Sequence, residues 1–210
     1  MIKGILFDLD GTLLDTNELI INSFQHTFKE FLGLCVEREE ILGFFGEPLY
    51  VTMKRYGGDK WSELTKFYME YNMRVHDVYT RHIDGSLEGV KLFKEKGYKL
   101  AVVTSKRREA AIKGLEFSEM LKYMDVIVTP EDTELHKPNP DPIYKACDIL
   151  KLQPSECIMV GDSSYDILCG KNAGTKTALV SYSMLNREEL LKLKPEYYIK
   201  SIKELYQKIQ

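Results

Sequence analysis

Along the 210 residues, short unbroken apolar runs alternate with longer stretches in which apolar residues recur every three or four positions. The run Gly4-Ile5-Leu6-Phe7 and those at residues 99–103, 125–128, 157–160 and 177–180 have the length and density of strands buried on both faces. The stretches between them, at 87–96, 108–115 and 142–150 and from the turn at Gly161 through Asn172, carry the helical period, and Gly97 and Gly174 stop two of them. A tail adds a helix at 187–193, a short strand at 197–199 and a last helix at 202–209. Strands and helices alternating at this length predict an α/β class, with a Rossmann-like parallel sheet carrying helices on both faces.

Residues 15–82 depart from that alternation and show helical spacing only. Leu19, Ile20, Phe24, Phe28, Phe31 and Leu32 mark a helix that Gly33 ends, a short helix covers 37–44, and Gly46-Glu47-Pro48 is a turn. A helix at 49–56 stops at Gly57-Gly58, and the longest pattern runs from about 59 to 79 through Trp61, Leu64, Phe67, Tyr68, Tyr71 and Val75. No strand signal lies between Asp15 and Arg81. The expectation is a small all-helical unit at 15–82, inserted after the first strand, with the α/β core built from 1–14 and 83–210. Its Phe and Tyr stripes read as packing. The hinges are expected at Asp15-Thr16-Asn17-Glu18 and near 79–84.

Composition narrows the class without naming a function. Apolar residues make up 44% of the chain and charged residues 29%, ample for a sizeable core in a soluble protein. A net charge of −3 implies no general attraction to nucleic acid, and no apolar stretch approaches the ~20 residues that span a bilayer. A cytoplasmic protein is expected, with neither nucleic acid nor membrane as partner. Cys35, Cys147, Cys157 and Cys169 lack metal-ligand or disulfide spacing and read as small buried hydrophobes.

The chemistry sits where strands end. The first strand delivers Asp8-Leu9-Asp10-Gly11-Thr12, and residues two apart on an extended segment share a side, so Asp8 and Asp10 can share a pocket. Paired carboxylates repel, a divalent cation relieves them, and with oxygen ligands alone magnesium is the natural candidate. Gly11 and Thr12 can aim backbone N–H groups at an anion. Later exits contribute Thr104, Ser105 and Lys106, then Lys137, then Asp162 and Asp166. All exits of a parallel sheet lie on one edge, so these residues are expected to converge. Singly, Thr104 reads as a strand-end or cap residue, Lys137 as a solvated lysine, and Asp162 and Asp166 as helix caps. Together they hold what phosphoryl transfer needs: a carboxylate nucleophile, a second carboxylate to move protons, a metal, and donors for phosphate oxygens. The four histidines show no metal-ligand pairing, although His76 and His136 are placed where they could face the cleft.

At these residues the chain resembles the haloacid dehalogenase superfamily of phosphotransferases. The resemblance rests on Asp8-Leu9-Asp10-Gly11-Thr12, Thr104, Lys137 and Gly161-Asp162-Ser163-Ser164-Tyr165-Asp166 in order, with a helical insertion like that superfamily's small cap. It implies Asp8 as the nucleophile that forms an aspartyl-phosphate and Asp10 as the acid and then the base. It implies Mg²⁺ on the Asp8 carboxylate, the Asp10 carbonyl and Asp162, with Asp166 completing the shell through water or Lys137. Thr104 and the Ser105 N–H would hold phosphate oxygens, beside Gly11, Thr12 and Lys106 as substrate-binding residues, and Lys137 would neutralise charge. Asp10 argues against the dehalogenase branch.

Within the superfamily the chain is similar to the phosphoglycolate phosphatase-like group. The runs Asp15-Thr16-Asn17-Glu18-Leu19-Ile20, Tyr71-Asn72 with His76-Asp77, and Lys171-Asn172-Ala173-Gly174-Thr175-Lys176-Thr177 resemble its bacterial inorganic pyrophosphatase branch. Pyrophosphate is the substrate that resemblance implies, and phosphoglycolate or another small phosphomonoester is the alternative. A β-phosphoglucomutase-type mutase and a receiver domain use related residues, but a receiver domain lacks the helical insertion. Gly46-Glu47-Pro48-Leu49, Lys54, Arg55 and Arg74 are candidates for reading the leaving group.

Overall fold

A computed structural model describes residues 1–210. In chain order its strands and helices are β1 (Gly4–Phe7), β2 (Leu14–Asp15), α1 (Asn17–Thr27), α2 (Arg38–Leu42), α3 (Leu49–Gly57), α4 (Trp61–Tyr79), β3 (Arg81–His82) and α5 (Ser86–Glu95). There follow β4 (Lys99–Val103), α6 (Arg108–Phe117), β5 (Val126–Val128), α7 (Asp141–Leu150), β6 (Cys157–Gly161), α8 (Ser164–Ala173), β7 (Lys176–Val180), α9 (Arg187–Lys192), β8 (Tyr197–Ile199) and α10 (Ile202–Lys208). No helix is long and apolar enough to cross a membrane.

Six strands form one sheet in the order β5-β4-β1-β6-β7-β8, and every pairing is parallel. β1 is wholly buried between β4 and β6, so the chain leaves it toward one side of the sheet and later returns on the other. Strand order reverses there, and a crevice opens beyond the carboxyl ends of the flanking strands. The strand period divides the core in two. Ile5, Phe7, Leu100, Val102, Ile158 and Val160 pack on one face under α5, α6 and α10, while Leu6, Ala101, Val103 and Met159 pack on the other under α7 and α8.

The insertion, α1 to α4, carries its own core, in which Phe24 meets Phe28, Phe44 and Tyr68 at ring-centroid distances of 5.6, 5.4 and 4.8 Å. Both crossings to the α/β core are short strands. Leu14 pairs with His82 and Asp15 with Arg81 in an antiparallel ribbon. Two residues per strand are too few to show a period, which is why the sequence reads this stretch as strandless. The first helical stretch ends at Gly33 as expected, but its last turn changes type: a single π-helical turn, Phe28–Leu32, carries α1 to Gly33, whose φ of 70° caps it. Cys147, Cys157 and Cys169 are buried as expected, but Cys35 is exposed in the irregular segment that follows Gly33.

Gly89 sets how closely α10 approaches α5. A Cβ there would lie 2.6 Å from the Cβ of Ile202 and 3.0 Å from the backbone nitrogen of Lys203, and a backbone nitrogen cannot step aside as a side-chain tip can. Gly89→Ala should therefore destabilise the fold by about 1–3 kcal/mol despite alanine's better helix propensity. The urea midpoint at unchanged m-value measures this. A midpoint equal to that of the unsubstituted chain would mean the helices separate freely.

Candidate active site

Asp8 follows β1, and its N–H donates to the Val160 carbonyl at 2.8 Å, which extends the β1–β6 ladder into the loop. Lys137, from the loop before α7, is 4% exposed and donates to Asp8 Oδ1 at 2.7 Å, Asp166 Oδ1 at 2.6 Å and the Val103 carbonyl at 3.2 Å. Its three ammonium protons thus have three acceptors. Ser163 caps α8, and its hydroxyl and N–H donate to Asp166 Oδ2 at 2.6 and 3.1 Å, so both Asp166 oxygens are occupied. Asp162 is also buried, and its carboxylate makes no hydrogen bond to the chain. One carboxylate oxygen each from Asp8, Asp162 and Asp166 fall within 4.8 Å of one another.

Such crowding raises carboxyl pKa values. Burial, ahead of the repulsion from Asp166 and Asp10, lifts Asp8 to about 7 although Lys137 opposes it. Burial, then the repulsion from Asp166 and Asp8, holds Asp162 well above the ordinary carboxylate range. The pairing with Asp166 and Asp8 outweighs burial at Lys137 and keeps it protonated. With all four carboxylates ionised (Asp8, Asp10, Asp162 and Asp166), two ammonium groups (Lys106 and Lys137) leave a deficit of two charges, which protons on the raised carboxyls or a divalent cation would cancel. An all-oxygen donor set with Asp162 left unsatisfied fits a hard cation.

Asp10 lies outside that triad of carboxylates, though its charge acts on Asp8 and Asp162. Its Oδ1 accepts from Thr16 Oγ1 at 2.6 Å and from Lys106 Nζ at 2.7 Å, which joins the end of β1 to the N-terminus of α1 and to the loop after β4. Thr104 Oγ1 accepts from the Lys106 N–H at 3.1 Å, and the buried Ser105 hydroxyl has no partner in the chain. Asp8, Asp10, Thr104, Ser105, Lys106, Lys137 and Asp162 together line a cavity of about 130 Å³ that the insertion roofs with Ile20, Phe24, Phe44, Tyr68 and Met69.

Several expected residues do other work. The Gly11 and Thr12 N–H groups are spent on the carbonyls of Leu14 and Leu9, at 2.7 and 3.4 Å, and neither residue lines the cavity. Gly11 instead makes room for Asp162: its φ is 76°, and a Cβ would lie 2.4 Å from Asp162 Oδ2. Gly46, Glu47 and Leu49 reach the cavity, but Lys54, Arg55 and Arg74 do not. Lys54 lies over Tyr50 and Trp61, Arg55 pairs with Glu47, and Arg74 covers Tyr71. Neither His76 nor His136 lines the cavity.

Asn17, Asn72, Arg107 and Glu109 also line it; Asn17 and Asn72 stood in runs noted for their resemblance, Asn17 also at an expected hinge, but none of the four was expected to face the cavity. Only Asn72 carried a signal: Leu64, Tyr68, Asn72 and His76 form the buried stripe of α4, and an amide inside an apolar stripe asks for a reason. Phe24, Phe44 and Tyr68 are core and cavity wall at once.

A parallel sheet with acidic strand exits and a helical roof defines a class of phosphoryl-transfer folds, and the sequence matches accordingly. Residues 5–180 match the family model described as haloacid dehalogenase-like hydrolase, and the chain belongs to that family. Pyrophosphatase PpaX of Halalkalibacterium halodurans is 43% identical over 204 residues, covering 97% of this chain and 95% of that protein. A PpaX homologue from Caldanaerobacter subterraneus subsp. tengcongensis is 48% identical over 204 residues, covering 97% and 93%. A solved haloacid dehalogenase-like family hydrolase from Streptococcus pneumoniae superposes with a TM-score of 0.87 at 26% identity, covering 100% of this chain and 99% of that one.

The raised Asp162 carboxyl makes a testable prediction about stability. A folded-state pKa above the unfolded ~3.9 means that the native state holds more protons, so this group's contribution to stability falls as pH rises through that window. Without divalent metal, Asp162→Asn should unfold at a higher temperature than the unsubstituted protein near neutral pH, with the advantage shrinking toward about pH 5. Added Mg²⁺ should stabilise the unsubstituted protein more than the variant. If the variant without metal is the less stable protein at both pH values, the carboxylate is not held there at a cost.

Proposed function

We propose that the chain is a magnesium-dependent phosphohydrolase that splits inorganic pyrophosphate into two phosphates by way of an aspartyl-phosphate on Asp8. The observation that carries the reaction class is Asp8 itself, with one oxygen fixed by Lys137 and its carboxylate lining a small cavity that Asp10 also lines. The likeness to the Halalkalibacterium pyrophosphatase supports the substrate. The cavity volume, about 130 Å³, fits a small phosphorylated substrate and does not distinguish pyrophosphate from phosphoglycolate.

Asp8 would attack one phosphorus as the bond to the bridging oxygen breaks, and Asp10 would give its proton to that leaving oxygen. Asp10 would then take a proton from the water whose oxygen attacks the aspartyl-phosphate, which returns Asp8 and releases the second phosphate. Thr104 and the Ser105 N–H would hold the oxygens of the transferring group, and Lys137 would keep Asp8 oriented and offset its charge. Mg²⁺ held by Asp8 and Asp162, with the Asp10 carbonyl and with Asp166 acting through Lys137, would neutralise phosphoryl oxygens. The apolar roof would exclude water beyond the one that reacts. A cytoplasmic setting and a small phosphorylated substrate as the partner belong to the same proposal.

Asp8→Asn should lower kcat by more than about 1,000-fold, and Asp10→Asn by about 100- to 10,000-fold, with folding retained by circular dichroism. Pyrophosphate should show the highest kcat/KM in a panel with phosphoglycolate, glucose 1-phosphate and nucleoside monophosphates, and chelation of Mg²⁺ should abolish turnover. Full activity of Asp8→Asn would remove the nucleophile. A better rate on phosphoglycolate would move the substrate, and conversion of glucose 1-phosphate to an isomer would make the protein a mutase.

A further inference from the structure

The insertion covers the cavity, yet no cation on it faces inward. Its contribution is largely apolar, with Asn17, Asn72 and Glu47 as the polar members, and Glu47 is held by Thr52 and Arg55. The cavity's cations all come from the α/β core: Lys106, Arg107 and Lys137. Lys137 has no donor to spare. Arg107 is half exposed, and its guanidinium pairs with Glu131 at 3.0 Å. Lys106 differs from both. Its side chain is 8% exposed, and its ammonium makes one bond in the chain, to Asp10 at 2.7 Å, so two of its three donors are open.

That position fixes what Lys106 meets. Any leaving oxygen protonated by Asp10 must come within hydrogen-bond reach of the Asp10 carboxyl, and the Lys106 ammonium already touches that carboxyl. A leaving group therefore arrives beside a nearly buried positive charge under an apolar roof, where a charge–charge contact is weakly screened. We propose that Lys106 selects phosphoryl donors whose leaving group carries its own negative charge, as pyrophosphate does, over esters with neutral or cationic leaving groups. The inference rests on the phosphohydrolase reading above and moves leaving-group choice from the insertion to the loop between β4 and α6.

The test uses the Mg²⁺-loaded full chain and three donors that differ in leaving-group charge: pyrophosphate (anionic), ethyl phosphate (neutral) and phosphoethanolamine (cationic). Lys106→Met should lower the pyrophosphate to ethyl phosphate ratio of kcat/KM by about 10- to 100-fold, the worth of one hydrogen bond to a charged group. Phosphoethanolamine should gain relative to ethyl phosphate. Lys106→Arg should keep the pyrophosphate ratio within a few-fold of the unsubstituted value. Ratios within one preparation cancel any loss of folded protein, and the phosphoethanolamine to ethyl phosphate ratio also cancels the demand on Asp10, because both leaving groups are alcohols. An unchanged phosphoethanolamine to ethyl phosphate ratio would make Lys106 a support for Asp10 only and overturn the inference. An unsubstituted protein that does not prefer pyrophosphate to ethyl phosphate would overturn the substrate reading and the inference with it.

Discussion

The Lys137 ammonium between Asp8 and Asp166 is the contact on which the rest of the site depends. Two buried carboxylates, one just beyond β1 and one in the first turn of α8, would repel each other and Asp162. Lys137 makes the cluster tolerable by donating to both and to the Val103 carbonyl. Residues 129 and 29 positions away from it in sequence are its partners, so the contact exists only if β1, β4 and β6 lie side by side and parallel. The order of the sheet is thus a precondition of the chemistry. Lys137 satisfies one part of the charge, and Asp162 is left for a cation to satisfy.

Floor and roof divide the labour. The floor is polar and comes from the ends of β1, β4 and β6, while the roof is mainly aliphatic and aromatic and comes from α1, α4 and the turn around Gly46. A low-dielectric roof strengthens every charged contact beneath it, which lets a few floor residues do the recognising. The insertion is attached where this matters most. Its first helix begins right after Thr16, the residue that shares Asp10 Oδ1 with Lys106, and its two crossings are tied together by the Leu14–Asp15 and Arg81–His82 ribbon. The proton-moving carboxylate proposed here therefore touches both halves of the molecule.

Much of this was legible in the chain because strong local signals and a simple topological rule agree. Buried runs of four or five apolar residues can be little other than central strands, and a parallel sheet sends their exits to one edge, which brings Asp8, Thr104, Lys137 and Asp162 to one cavity. What escaped notice was set by tertiary contacts or fell below the length at which a period shows. The β2–β3 ribbon has two residues per strand, and Cys35 lies exposed in the irregular segment between Gly33 and α2, where no period indicates which side chains are buried. A cation's position on a helix says nothing of whether a ring will hold it, so Lys54 and Arg74 lie over aromatic faces instead of facing the cavity. Free N–H groups cannot be read from a Gly-Thr pair either, since the turn at Gly11-Thr12 closes on its own carbonyls.

Asp166 shows why a capping reading and a functional reading of one residue need not compete. It is the third residue of α8 and closes a capping box with Ser163, as any helix start with this pattern would. That box uses one of its oxygens and thereby turns the other toward Lys137. Space enforces the arrangement: a Cβ on Gly161 would lie 2.2 Å from the Cβ of Asp166, just as one on Gly11 would strike Asp162. Two glycines thus make room for the two carboxylates, one of them saturated by hydrogen bonds and the other bare. Asp162 and the remaining oxygen of Asp8 are thus the groups that would hold a cation, while both oxygens of Asp166 are already taken by Ser163 and Lys137.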